Sequence, residues 1–165
     1  MSPEEDDPGM RQWISLVAIE QEAARCRAEL NQLPSRVHLL AKALSSSSSW
    51  DRSAALNFLR IFPEDVPILL NLLVDLSLST GWALPALEAI RAAEHKIEPL
   101  HFARVALECL ADGEAEDHLR LAGMLAEVRA WEALDAVIGK ASESSDPATR
   151  EVARVFSASH GGRLS

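Results

Sequence analysis

Three prolines stand at nearly equal intervals along the chain, and this spacing limits the possible folds more than any other feature. Pro34, Pro67 and Pro99 are 33 and 32 residues apart, and a further 32 residues lead to Trp131. Proline is favoured at the first position of a helix, where its missing N–H would have no helical partner. We therefore predict that a helix begins at each of these four positions, within a repeated unit of about 32 residues.

Apolar residues recur at the same distances after each of these positions, and this recurrence supports a repeat. Positions three, six and seven residues further on trace one face of a helix, and that face is expected to be buried. Among the positions on this face, we single out Leu70, Leu73, Phe102 and Val137 as predicted core residues. The full set of twelve is Val37, Leu40, Ala41, Leu70, Leu73, Val74, Phe102, Val105, Ala106, Leu134, Val137 and Ile138.

A second helix is expected after each of these first helices, because short polar loops are followed by further helical spacing. The resulting helix pairs cover residues 34–62, 66–96, 99–129 and 130–158, and one additional helix precedes them. No stretch shows the period of two that a strand requires. The prediction is an all-α chain with a single helical-repeat domain over residues 10–158, a disordered acidic tail over 1–9 and a flexible tail over 159–165.

Two stretches resemble HEAT or armadillo-type repeats. They are residues 66–75 followed by 86–90, and residues 146–153, in which Asp146 and Arg150 match the turn aspartate and helix arginine that bond to each other in that family. Residues 130–134 are instead similar to part of a tetratricopeptide repeat, although the chain contains no tyrosine and lacks the Gly-x-x-Tyr framework of that family. The resemblance to HEAT repeats implies a short right-handed α-solenoid of about four helical hairpins plus an N-terminal helix. It further implies that the second helices line a concave, protein-binding groove.

Candidate partner-binding residues follow from this arrangement, because polar and aromatic side chains on the second helices would face the groove. Arginine and tryptophan are the residues most often found at interface hot spots. We expect the four tryptophans to fill seams between repeats, with Trp82 as the exception because Gly81 and Pro85 flank it. The candidate residues are Arg60, Trp82, Glu88, Arg91, Arg120, Arg150 and Arg154.

The charge of the chain disfavours several kinds of partner. The net charge is −9, of which −8 belongs to residues 63–165. A binder of nucleic acid or of an anionic membrane surface would need a basic face, so neither is expected. A protein with a basic patch is the expected partner. Two cysteines without a CxxC pair and an acidic N-terminus without a signal peptide favour a cytoplasmic protein, and the Arg- and Ala-rich composition suggests a bacterial one.

No motif of a nucleophilic or phosphate-binding enzyme occurs, since GxSxG, GxxxxGK[ST] and GxGxxG are missing. We therefore predict a non-catalytic protein–protein interaction module, an adaptor without a cofactor or metal, and in one specific version a small acidic immunity or inhibitor protein. An alternative is an enzyme or a ligand- or metal-binding domain with a site at Glu94, His95, Glu98 and His101. A third reading, a purely structural oligomerisation unit, also stays open.

Overall fold

The chain is all-α throughout residues 7–161, the part that the computed structural model describes. No strand occurs in this part of the chain, and two short 3₁₀ turns, Pro63–Asp65 and Glu94–Lys96, accompany the α-helices. The helices are α1 (Pro8–Asn31), α2 (Arg36–Leu44), α3 (Ser49–Ile61), α4 (Leu70–Leu78), α5 (Ala83–Ala92), α6 (Pro99–Cys109), α7 (Ala115–Glu127), α8 (Trp131–Ser142) and α9 (Pro147–His160).

The chain divides into two compact units, Met1–His38 and Leu39–Ser165, which is a finer division than the single domain expected over 10–158. Helix α1 begins at Pro8 because the side chain of Asp7 caps it and accepts a hydrogen bond from Gly9 N at 3.3 Å. Pro8 and Gly9 are therefore helical, whereas the rest of the predicted acidic tail, residues 1–6, lies outside the described residues. Helix α9 continues two residues beyond the predicted boundary at 158.

The predicted helix starts are correct at two of the four repeat positions. Pro99 opens α6 and Trp131 opens α8. Pro34 and Pro67 instead lie in the turns that precede α2 and α4. At Pro67 the reason is visible in the backbone, because the amides of residues 68 and 69 both bond to the carbonyl of Asp65 and delay the start of the helix.

The predicted core is confirmed by the burial of the repeated apolar positions. Leu70, Leu73, Phe102 and Val137 are all buried. Of the twelve predicted positions, all but the half-buried Val37 and Ala41 are buried. The helix period read from the sequence thus identifies the inward face of α4, α6 and α8.

Within the second unit, first helices pack on first helices and second helices on second helices in several successive pairs, although α5 and α7 have no extensive contact. The first helices α4 and α6 are in contact, as are α6 and α8. The second helices pack in the same way, α3 against α5 and α7 against α9. Contacts of α4 with α5 and of α8 with α9 join the two ranks. The second helices thus form two packed pairs, α3 with α5 and α7 with α9, and the candidate site lies on the first pair.

Candidate functional site on the second helices

A groove between α3 and α5 collects three of the candidate residues, Arg60, Trp82 and Glu88. Trp50 and Pro85 also line it, so that two indoles and a proline ring lie beside one cation and one anion. We call this site the tryptophan groove. Its volume is about 430 Å³. An open groove with aromatic walls and a few polar groups is a surface on which a protein segment can dock.

The serine run before α3 positions the first of these indoles. Ser48 caps α3 by accepting a hydrogen bond from Asp51 N at 3.3 Å, and Ser46 donates to Asp51 Oδ2 at 2.8 Å. The cap places Trp50 in the first turn of α3, where 83% of its surface is exposed. The expectation that Trp50 fills a seam between repeats is therefore wrong, since it is the most exposed large apolar residue of the described chain.

The second indole is positioned by a glycine turn and by an arginine. Gly81 adopts a φ of 89°, which a residue without a Cβ reaches at little cost, and the turn delivers Trp82 to the N-cap position of α5. The guanidinium of Arg52 lies 5.7 Å from the centre of the Trp82 ring, within the range of a cation–π interaction. Arg52 Nε is buried and has no hydrogen-bond partner. Arg52 is half-buried and supports Trp82.

Arg91 does not line the tryptophan groove and forms an ion pair that joins α5 to α7. Its Nη2 is 2.7 Å from Glu127 Oε1, and both side chains are about half exposed. An ion pair of this kind contributes little to stability, because water screens it. Both residues border a neighbouring groove that also contains Glu94 and His95.

The guanidinium of Arg120 binds other groups of the same chain. Its Nη1 donates to the carbonyl of Leu78, at the end of α4, at 2.9 Å, and its Nη2 pairs with Glu116. Arg120 lines a third groove together with the exposed Leu84 and Leu119. Its guanidinium serves there as a cap for the last turn of α4, a position at which a basic side chain is favourable.

Arg150 and Arg154 line none of these three grooves. Arg150 Nη1 donates to the carbonyls of Ser144 and Ser145 at 2.8 and 2.9 Å, and Arg154 pairs with Glu151 on the same helix. The side chains of Asp146 and Arg150 do not form the bond that the HEAT resemblance implies, and only the helical backbone bond from Arg150 N to Asp146 O, at 3.1 Å, joins the two residues. Asp146 instead caps α9, and hydrogen bonds from Thr149 hold the pKa of its carboxyl below the usual value.

The alternative site at Glu94, His95, Glu98 and His101 does not come together as a ligand set. His95 is exposed beside Glu94, with 3.2 Å between Nε2 and Oε1. His101 Nε2 donates to the carbonyl of Pro67 at 3.0 Å, while its Nδ1 accepts from Arg104 at 2.9 Å. Among the described residues, no three His, Cys, Asp or Glu side chains are grouped so that they could hold a metal ion.

The two cysteines differ in their exposure to solvent. Cys26 is exposed on α1. Burial, and secondarily the neighbouring carboxylate of Asp75, raise the pKa of the Cys109 thiol to about 12. Cys109 therefore stays protonated at neutral pH and is not a nucleophile there.

Comparison with known proteins yields no match: no protein-family model, no curated protein and no solved structure matches the chain. Across residues 7–161, none of the helices combines the length and the apolar content that crossing a bilayer requires.

Proposed function

We propose that the second unit is a short right-handed α-solenoid of HEAT-like hairpins and acts as a non-catalytic protein-interaction module. The packing of α4 on α6 and of α6 on α8, with α3 on α5 and α7 on α9, supports a stacked array of hairpins. In such an array adjacent second helices form a joint surface, and the surface of α3 and α5 holds the proposed binding site.

The observation that carries this proposal is the tryptophan groove. Trp50 is almost fully exposed beside Trp82, Arg60 and Glu88. When a partner covers an exposed indole, the burial of its apolar surface stabilises the complex. Tryptophan and arginine are also the residues that contribute most to binding energy at known interfaces. Neither Trp50 nor Arg60 is needed for the core, so the groove can serve recognition without cost to folding.

The chemistry of the partner follows from the charge of the chain. Residues 63–165 carry a net charge of −8, and the proposed partner is a protein with a basic patch. A small acidic inhibitor or immunity protein that covers a basic effector in a bacterial cytoplasm is the specific version that we put forward. Binding of this kind weakens as salt screens the long-range attraction.

The test is a capture experiment followed by reconstitution. The full chain is used as bait in lysate of the source cells, the captured protein is identified, and the complex is rebuilt from purified components. Binding is then measured for Trp50→Ala and Arg60→Glu, with Trp13→Ala as the matched control, because Trp13 is a comparably exposed indole outside the second unit.

We expect Trp50→Ala and Arg60→Glu each to weaken binding at least about tenfold, the size of a hot-spot residue, while Trp13→Ala binds as the wild type does. Circular dichroism verifies that each variant is still helical. Equal binding by all variants would show that the tryptophan groove is not the interface. A chain that captures no protein that binds again in purified form would overturn the proposed function itself.

A further inference from the structure

Helix α1 has almost nothing to pack against within its own unit. The first unit consists of α1, a short turn and the first three residues of α2. None of the 24 residues of α1 is buried, although the helix carries six exposed large apolar side chains. Helices in water owe most of their stability to the packing of an apolar face, so a helix of this composition requires a partner. The six are Met10, Trp13, Ile14, Leu16, Val17 and Ile19.

One stripe of α1 has the spacing of a coiled coil. Leu16, Ile19, Ala23, Cys26 and Leu30 follow one another at intervals of three, four, three and four residues. These intervals are those of the a and d positions of a heptad repeat. We call this stripe the heptad seam. Ile19 is 64% and Leu16 48% exposed, and Cys26 is exposed as well, whereas Ala23 and Leu30 are half-buried. The seam is therefore open to a second helix at Leu16, Ile19 and Cys26.

The charges beside the heptad seam indicate which helix would complete it. Glu22 and Arg27 occupy the g and e positions on opposite sides of the seam. In a parallel, in-register pair, the g residue of one helix faces the following e residue of the other, so Glu22 of each copy meets Arg27 of its partner. Within the described part of the chain Arg27 is half-buried and forms no ion pair, whereas both carboxylate oxygens of Glu22 bind Arg25 of the same helix, with Arg25 Nε 2.9 Å from Oε2. In the pair, Glu22 is therefore shared between Arg25 of its own helix and Arg27 of the partner. The seam is complementary to itself.

We propose that α1 mediates self-association of the chain through parallel pairing of the heptad seam with that of a second copy. The interface is apolar at its centre, with two symmetric Glu22–Arg27 pairs at its edges. In this register Cys26 of one copy lies in the same layer as Cys26 of the other. An antiparallel pair would place the two cysteines in different layers, so Cys26 reports on the register as well as on association.

The test uses the full-length chain with Cys109→Ser, which leaves Cys26 as the only thiol. Light scattering under reducing conditions measures mass against protein concentration. Diamide then oxidises the two facing thiols to one disulfide and takes up the two electrons and two protons released. We expect a concentration-dependent rise to at least twice the monomer mass, and a crosslinked dimer that Cys26→Ser abolishes.

Two substitutions on α1 make the test specific. Ile19→Asp puts a charge into the heptad seam and should abolish both the added mass and the crosslink. Ile14→Asp is the matched control, since Ile14 is similarly exposed, at 56%, but lies off the seam, and this variant should still associate and crosslink. A monomer at every concentration, association without a crosslink, or equal crosslinking of Ile19→Asp would each overturn the proposal.

Discussion

Arg129 occupies a backbone conformation that an L-amino acid seldom adopts. Its φ is 57°, and it stands directly after the C-cap of α7. Two hydrogen bonds close the helix there, from Ala130 N to Leu125 O at 2.9 Å and from Arg129 N to Ala126 O at 3.2 Å. This is the Schellman arrangement, in which glycine is the usual residue at the position that Arg129 holds.

We expect Arg129→Gly to raise the free energy of unfolding by about 0.5–1 kcal/mol. Glycine avoids the steric cost of the left-handed conformation, which is about 1–2 kcal/mol for a residue with a Cβ, and its greater freedom in the unfolded chain offsets part of this gain. Urea denaturation measures the change. Arg129→Ala is the control, because alanine retains the Cβ and should give no such gain. A less stable glycine variant would show that the arginine side chain contributes to stability.

The two thiols should differ in reactivity and in their response to pH. Because the pKa of Cys109 is raised to about 12, iodoacetamide at pH 8 should modify Cys26 much faster than Cys109 in the folded chain, as mass spectrometry can follow. The folded protein holds the Cys109 proton more tightly than the unfolded chain does. Stability that depends on Cys109 is therefore complete below pH 9 and is lost as the pH rises toward 12.

Urea unfolding at two pH values, in the presence and absence of the Cys109 thiol, tests the predicted pH dependence. Unfolding in urea is measured at pH 7 and at pH 10 for the wild type and for Cys109→Ser. The serine variant should lose less stability between the two pH values than the wild type does. Equal loss in both proteins, or equally fast alkylation of Cys26 and Cys109, would contradict the protected state of the Cys109 thiol.

At the scale of the helix, the repeat register makes the strongest stability prediction. Leu73 lies on the inward face of α4 with no exposed surface. Leu73→Ala should cost about 2–5 kcal/mol, the range for deleting a buried leucine side chain. Leu73→Asp should unfold the chain, because it buries a charge without a partner. Circular dichroism and thermal unfolding measure both changes.

Asn71→Asp is the matched control. Asn71 is exposed on the same helix, so an aspartate at this position stays in contact with water and no charge is buried. It should melt close to the wild type. A Leu73→Asp chain that stays helical and melts cooperatively would show that the register of α4 is wrong.

The sequence predicts the helices well because the period of apolar residues depends on local geometry alone. The same periodicity identified the buried faces of α4, α6 and α8 but not the neighbours of any outward side chain. It therefore missed that Arg52 folds under Trp82 and that Trp50 stays exposed, since both depend on how α3 and α5 approach each other. Arg150 and Arg154 were grouped with the site because they share a helix rank with Arg60, although spacing along the chain does not specify distance between helices.

At the scale of the whole chain, the two units differ in whether they have a buried core. The second unit has its own core, formed by successive helices from α3 to α9. The first unit has one long helix without a buried side chain. The sequence did not reveal this division, because α1 has the same helix-forming composition as the repeats and lacks only the paired helix that would cover it.

Because the core belongs to the second unit, a chain shortened to begin at Leu33 should fold without α1 and retain α2 whole. We expect it to unfold in one cooperative transition, with a midpoint within a few degrees of the full chain, and to lose helical signal only in proportion to the 24 helical residues removed. If α1 mediates self-association, the shortened chain is also monomeric at concentrations where the full chain is not. A shortened chain that loses its cooperative transition would show that α1 is part of the fold of the second unit, and light scattering on the same samples would then assign α1 to stability rather than to association.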